Sequence, residues 1–123
     1  MIQYMETELA RAEIEECIQF CEECHRVCTE TLTYSLQVGS AHMEPDHLRL
    51  LHDCIQITRT CADFMHRGSP FHGLTCGLCA IICERCMEDC LSIDQDDPQM
   101  RACAHVARRC MESCRMMASI AAG

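Results

Sequence analysis

The sequence has no Trp and no Lys, and it holds only three Phe and two Tyr among 123 residues. With so little aromatic mass, the core must be filled by Cys, Met, Leu, Ile and Ala. Without Lys, the ten Arg leave a net charge of −9, and an acidic surface of this kind argues against nucleic acid and anionic membranes as partners. No stretch approaches the roughly 20 consecutive apolar residues of a membrane span.

Cysteine, in contrast, supplies 14 of the 123 residues. In a short secreted chain that content would indicate a disulfide scaffold, with cysteines in loops and a secretory signal at the start. The N-terminal stretch MIQYMETELARAEIEE has neither an apolar run nor a small-residue cleavage site. We therefore expect a chain in the reducing cytoplasm, where free thiols and metal thiolates prevail over disulfides.

Glycine and proline are also scarce, with five and three residues, and their positions divide the chain into four helical segments. Gly39 and Gly68 end two segments, while Pro45, Pro70 and Pro98 suit the first turn of the next helix. Short links between helices favour antiparallel neighbours. The sequence thus predicts an all-α fold, a single domain over residues 1–123 that is an up-down-up-down four-helix bundle, with helices at about 4–38, 46–67, 70–93 and 98–120.

The cysteines recur every three or four residues within these segments, as in CIQFCEECHRVC at residues 17–28. At 100° per residue, the cysteines of each segment fall within an arc of about 80° or less. Apolar residues flank each stripe and charged residues lie opposite, so the stripes are predicted to face the bundle interior. The stripes comprise Cys17, Cys21, Cys24, Cys28, Cys54, Cys61, Cys76, Cys79, Cys83, Cys86, Cys90, Cys103, Cys110 and Cys114.

Thiols confined to facing stripes indicate metal chemistry, because Leu or Ala would pack equally well without the risk of oxidation. The soft-metal candidates are zinc, iron-sulfur clusters and Cu(I), and the ferredoxin run ending in Cys-Pro is missing. A zinc ion held by four thiolates leaves a charge of −2 in a low-dielectric interior, which is costly. Monovalent Cu(I) at about one ion per thiolate leaves the interior near neutral. Multiple Cu(I) ions are favoured, and a zinc-stabilised helical interaction module is the alternative.

The paired spacing CxxxC within a predicted four-helix bundle resembles the bacterial copper storage proteins, and the resemblance covers essentially the whole chain. It is similar to the cytosolic branch of that family. The resemblance implies storage or sequestration of Cu(I) as the function and a homotetramer as the assembly. We expect copper ions as the partner, with a copper chaperone as one candidate donor. The pairs that carry it are Cys17/Cys21, Cys24/Cys28, Cys79/Cys83, Cys86/Cys90 and Cys110/Cys114.

Histidine and methionine side chains are soft enough to pass Cu(I) toward the thiols. In the predicted topology, the first and third connections share one end of the bundle, and there Met43, His47 and Met100 are predicted as further metal ligands at an entrance. The opposite end gathers Phe64, Phe71, Leu74 and Ile120, together with Met65, His66, His72 and Met117. Because rows of equivalent thiols single out no nucleophile beside a base, we expect no enzymatic activity.

Overall fold

The computed structural model describes residues 2–122 of the chain and the side chains of residues 10–120. Four α-helices make up almost all of it: α1 (Ile2–Val38), α2 (Pro45–His66), α3 (His72–Ile93) and α4 (Pro98–Ala122). A short 3-10 helix, η1 (Ser40–Met43), lies between α1 and α2. No strand occurs within the described residues, so the predicted all-α class is confirmed.

Two details differ from the sequence prediction. The 3-10 helix was not predicted; it follows Gly39, whose φ of 77° lies in the left-handed region that suits glycine. Helix α3 begins at His72 and not at residue 70, because residues 69–72 form a turn. The Ser69 hydroxyl accepts a hydrogen bond from the Phe71 amide (3.1 Å), and the Ser69 carbonyl accepts one from the His72 amide (3.2 Å). The turn therefore delays the first helical residue by about half a turn of helix.

Helix α4 begins as its sequence predicts. The carboxylate oxygen Oδ1 of Asp97 accepts hydrogen bonds from the backbone amides of Gln99 (2.8 Å) and Met100 (3.2 Å). These amides have no partner within the helix, and an Asp at this position satisfies them. Pro98 occupies the first helical position, where the lack of an amide hydrogen costs nothing.

Each helix packs against two others, in the order α1, α2, α3, α4 and back to α1. Contacts at both ends of the pair α1 and α4 show that these helices run in opposite directions, because Cys17 meets Cys114 while Cys28 meets Cys103. The chain reverses in the same way from α2 to α3, where Cys61 meets Cys76. The result is a four-helix bundle. None of the helices within residues 2–122 combines the length and the apolar content needed to cross a membrane.

The bundle has two unlike ends. We call the end with the α1–α2 and α3–α4 connections the two-loop end, and the end with the α2–α3 connection the one-loop end. Between them, cysteine is the most frequent buried residue, and Leu51, Ala107 and Met100 are among the other fully buried apolar side chains. Buried Thr31 and Thr58 donate their hydroxyl hydrogens to the carbonyls of Val27 and Cys54, each at 2.7 Å, so these polar groups are satisfied inside the core.

Candidate metal centre in the bundle core

All 14 cysteines lie in the interior, and each is between 0% and 1% exposed. None of them forms a disulfide. The helical spacing of three and four residues stacks the thiols of one helix along its inner face, and the four helices bring four such rows together. The predicted stripes are therefore confirmed as inward-facing rows.

The sulfur atoms form one continuous set, which we call the thiol network. Twelve pairs of Sγ atoms lie between 3.4 and 3.9 Å apart, both within one helix and between helices. Groups whose sulfurs lie within 4.8 Å of one another link the remaining cysteines, Cys86 and Cys90, through Cys28, Cys54 and Cys103. No cysteine is separated from the others.

The local groupings within the network are mostly of three sulfurs. One set contains four sulfurs, those of Cys21, Cys79, Cys110 and Cys114, and four further sets contain three. Sets of three suit trigonal coordination, which Cu(I) accepts, and structural zinc requires discrete tetrahedral sets. The sets of three are Cys17/Cys76/Cys114, Cys24/Cys54/Cys83, Cys28/Cys54/Cys86 and Cys86/Cys90/Cys103. Because several cysteines belong to two sets, neighbouring metal ions would share bridging sulfurs.

Hydrogen bonds between neighbouring thiols shift their pKa values in opposite directions. Hydrogen bonds with Cys103 and Cys28 lower the pKa of Cys86 to about 6, against burial, which raises it. Hydrogen bonds with Cys110 and Cys114 raise the pKa of Cys21 well above its ordinary value, and burial adds to this. A thiolate is the metal-binding form of cysteine. Metal binding at a thiol with a raised pKa, such as Cys21, must therefore displace its proton.

The two-loop end carries a buried polar cluster. His47 is 1% exposed; its Nδ1 lies 2.5 Å from Oδ2 of Asp89 and its Nε2 lies 3.2 Å from the Ser35 hydroxyl. The Asp89 carboxylate accepts a hydrogen bond from Nδ1 of His47, so Nε2 is the nitrogen that faces α1. A carboxylate partner that fixes the imidazole in this way is the usual support of a metal-binding histidine.

His42 in η1 lies beside this cluster. It is 7% exposed, and its Nδ1 has no hydrogen-bond partner among the described residues. Its ring meets those of Tyr34 and His47 edge to face, with centroids 5.7 and 6.5 Å away. Tyr34 donates a hydrogen bond to Asp97, and this bond raises the pKa of the tyrosine. A buried imidazole nitrogen without a partner is costly, and it is a free soft donor.

The three non-cysteine ligands predicted from sequence have different surroundings. Met100 is fully buried, one helical turn from Cys103, and His47 belongs to the cluster just described. Met43, the last residue of η1, is 41% exposed. The structure thus brings His47 and Met100 into the core at the two-loop end and leaves Met43 at the surface.

One sulfur contact was not predicted. At the one-loop end, Sδ of Met65 lies 3.9 Å from Sγ of Cys76. The signal was present in the sequence, because Met65 follows Cys61 by four residues and so continues the cysteine stripe of α2. Met65 was placed at the end opposite the predicted entrance and was not included among the predicted ligands.

A four-helix bundle with a continuous buried thiol network defines a class of protein that binds many soft metal ions in its core. Comparison with known proteins agrees. The chain matches the family model described as copper storage protein over residues 10–119. It is 36% identical over 85 residues to an uncharacterized cysteine-rich protein, YhjQ, of Bacillus subtilis (strain 168), an alignment that covers 69% of this chain and 79% of that one.

Two solved structures share the fold. The Nmul_A1745 protein from Nitrosospira multiformis is 36% identical, with a TM-score of 0.82 and coverage of 89% of this chain and 97% of the other. The copper storage protein BsCsp3, solved with Cu(I) bound, is 34% identical, with a TM-score of 0.80 and coverage of 86% and 98%. The chain belongs to the copper storage protein family, as its spacing of cysteines predicted.

Proposed function

We propose that this chain stores Cu(I) along its core, with all 14 cysteines as ligands. The continuous thiol network is the observation that carries the proposal, since every sulfur has another within bridging distance. Copper rather than a divalent ion is favoured by charge, because one Cu(I) per thiolate offsets a core that would otherwise hold many buried negative charges. The zinc-stabilised module is disfavoured by the shared sets of three sulfurs.

Native mass spectrometry of the metal-loaded chain tests this proposal against its zinc alternative. Reduced protein is exposed to excess Cu(I) under anaerobic conditions in one sample and to excess Zn²⁺ in the other. We expect about a dozen or more copper ions per chain, against about three or four zinc ions, since zinc is limited by its need for four ligands. A copper load no larger than the zinc load would contradict storage.

We propose the two-loop end as the copper entrance, with Met43 outside, His42 and His47 next, and Met100 beside the outermost thiols. Two observations support it. The unpartnered Nδ1 of His42 offers a ligand near the surface, and the Asp89 carboxylate holds His47 in a fixed orientation. Thioether and imidazole groups bind Cu(I) without adding negative charge, so they suit transient sites before the thiolates.

Removing the entrance imidazoles should slow copper uptake while leaving capacity intact. We expect His42→Ala with His47→Ala to load from a competing chelator about tenfold more slowly, because two imidazole ligands are lost from the proposed path to the thiols. Final load should change by no more than about one or two ions. Stopped-flow or absorbance kinetics of chelator release would measure the rate.

His66→Ala with His72→Ala is the matched control, since it removes two imidazoles at the one-loop end. Equal slowing in both pairs, or slowing in the control alone, would place the entrance elsewhere. Loss of the buried His47 could destabilise the fold, so thermal melting of each apo variant is recorded first. His42→Leu alone then serves as the second variant, because its Nδ1 has no hydrogen bond to lose.

We propose that the chain works in the cytoplasm, takes copper from a chaperone, and catalyses no reaction. Fourteen free thiols require a reducing compartment, and an acidic surface suits a donor with basic contact residues. The Ser35 hydroxyl near His47 is fully buried, so a substrate cannot reach it as a catalytic nucleophile must be reached.

We also propose that copies of the chain associate through the outer face of α3. Leu74, Leu78 and Ile81 are 77%, 49% and 58% exposed and lie at helical spacing on the face opposite the thiols. They line a groove of about 510 Å³ with Gly73 and Gly77. Apolar rows of this kind on a soluble protein mark interaction sites.

A second copy is the occupant that the face fits, because the face is complementary to itself. If two α3 helices lie antiparallel about a two-fold axis at Leu78, then Phe71 of one copy lies opposite Arg85 of the other, and Leu74 lies opposite Ile82, one residue from Ile81. Phe71 is 61% exposed, and an arginine over its ring would be a favourable contact. With a net charge of −9 on each copy, association must rest on apolar contacts. A tetramer then needs one further interface.

Introducing charge on this face should dissociate the assembly. We expect Leu74→Glu with Ile81→Glu to lower the mass measured by light scattering by at least half at micromolar concentration, because like charges would meet across the two-fold axis. Leu91→Glu, which also replaces an exposed leucine of α3 (42%), is the control. A wild-type monomer, or an assembly that the double variant leaves intact, would overturn the proposed interface.

A further inference from the structure

The thiol network ends against a thioether at the one-loop end. Cys61 and Cys76 form the shortest of the sulfur contacts described above, 3.4 Å. Sδ of Met65 lies 3.9 Å from Sγ of Cys76, and the Met65 side chain is 5% exposed. Two thiols and one thioether therefore lie in the last layer of the core, where Cys76 also belongs to the set with Cys17 and Cys114.

Local structure fixes the position of Met65. It lies one helical turn after Cys61 on α2, so both side chains point to the same side of the helix. The amide of Gly68, with φ 62°, donates a hydrogen bond to the Met65 carbonyl at 3.1 Å. This turn closes α2 immediately after Met65 and leads the chain back, so that α3 presents Cys76 to the same point.

The chemistry of these three sulfurs suits one Cu(I) ion. Thiolate and thioether sulfur are both soft ligands, and Cu(I) accepts three of them in trigonal geometry. Two thiolates with one Cu(I) leave a charge of −1, and the neutral thioether completes the coordination without adding to it. A third thiolate would leave −2, which is more costly in a buried site.

We propose that Met65 is a Cu(I) ligand and that, with Cys61 and Cys76, it forms a terminal copper site at the one-loop end. This inference rests on the proposed storage of Cu(I). The uncharged thioether of Met65 is the last sulfur of the network at this end. The site has two thiolates and one thioether, whereas a site of three thiolates would carry one more negative charge.

Methyl NMR of the chain labelled with ¹³C at the methionine methyl groups tests the proposal directly. We expect the Met65 methyl resonance to move on Cu(I) saturation, because a bound cation withdraws electron density from the sulfur that carries the methyl group. Met111 on α4 is the matched comparison: it is buried, with 8% of its surface exposed, and no sulfur contact to it is found among the described residues. Its resonance should move much less.

The resonances are assigned by their loss in Met65→Leu and Met111→Leu. If Met65→Leu does not fold, nuclear Overhauser contacts to Cys76 assign the wild-type signal instead. A Met65 resonance that moves no more than that of Met111, in a chain loaded with many copper ions, would overturn the proposed site. A chain that takes up few copper ions would instead refute storage itself, so the two failures are distinguishable.

Copper release provides a second readout. In Met65→Leu, a Cu(I) chelator should remove about one ion per chain with an affinity weakened by about tenfold, and the remaining ions should behave as in the wild type. Met111→Leu should release its copper as the wild type does. Identical release profiles for Met65→Leu and the wild type would count against the thioether as a ligand, whatever its resonance does.

Discussion

Anaerobic titration of the reduced chain with Cu(I) is expected to saturate at about one ion per cysteine, on the order of 14 ions. Two properties of the core give this number: the charge of its thiolates and the unbroken contact between its sulfurs. Each thiolate needs about one monovalent cation for the core to stay near neutral, and every sulfur has neighbours close enough to share one. A chelator that reports free Cu(I) measures the end point.

Capacity should fall in proportion when cysteines are removed. Cys79→Ala with Cys110→Ala deletes two sulfurs that lie 3.9 Å apart in the set of four, and we expect a loss of about two ions. A variant of two surface residues, His52→Ala with His105→Ala, should retain the full load. Saturation of the wild type at four ions or fewer would contradict storage, and so would loss of the whole load in the cysteine variant.

Copper loading should also stabilise the folded chain against heating. The empty chain should already be helical, because protonated thiols are neutral and pack as small apolar groups. Copper bound only by the folded chain adds stability by mass action, about 2.7 kcal/mol for one site at a ligand concentration 100 times its Kd. With several such sites filled, we expect Tm to rise by at least about 20 °C.

Circular dichroism during heating, with and without copper and in the presence of a reductant, would measure the helical content of the empty chain and the rise in Tm on loading. The titrated chain should also release protons on loading, since thiols bind metal as thiolates. A random-coil spectrum for the empty chain would contradict a preformed bundle. A loaded chain that melts at the same temperature as the empty one would contradict copper binding in the core.

The helices and their inward faces could be predicted because the relevant signals are local. Gly39, Gly68 and Pro98 mark boundaries that depend on backbone conformation alone, and spacing along one helix decides which residues share a face. For this reason all 14 cysteines were placed in the interior from sequence. The choice of metal also followed from sequence, since it depends on the kind and number of ligands.

Contacts between helices at the ends of the bundle could not be predicted in the same way. The pairing of His47 with Asp89 joins residues 42 positions apart, and it depends on how far α2 and α3 are offset along the bundle axis. The missing partner of His42 depends on η1, whose 3-10 turns have no strong sequence signal. Met65 was left out for another reason: its spacing from Cys61 was visible, but it lies at the end opposite the predicted entrance, where no methionine was predicted as a ligand.

The spacing of sulfurs in the thiol network has a consequence for movement inside the protein. With neighbouring Sγ atoms 3.4–3.9 Å apart at many points, an ion can form a bond to the next sulfur before it leaves the last. We therefore expect bound Cu(I) ions to exchange between neighbouring sulfurs along the core. Ions would shift along the bundle in relay, so that the ion leaving one end need not be the ion that entered most recently.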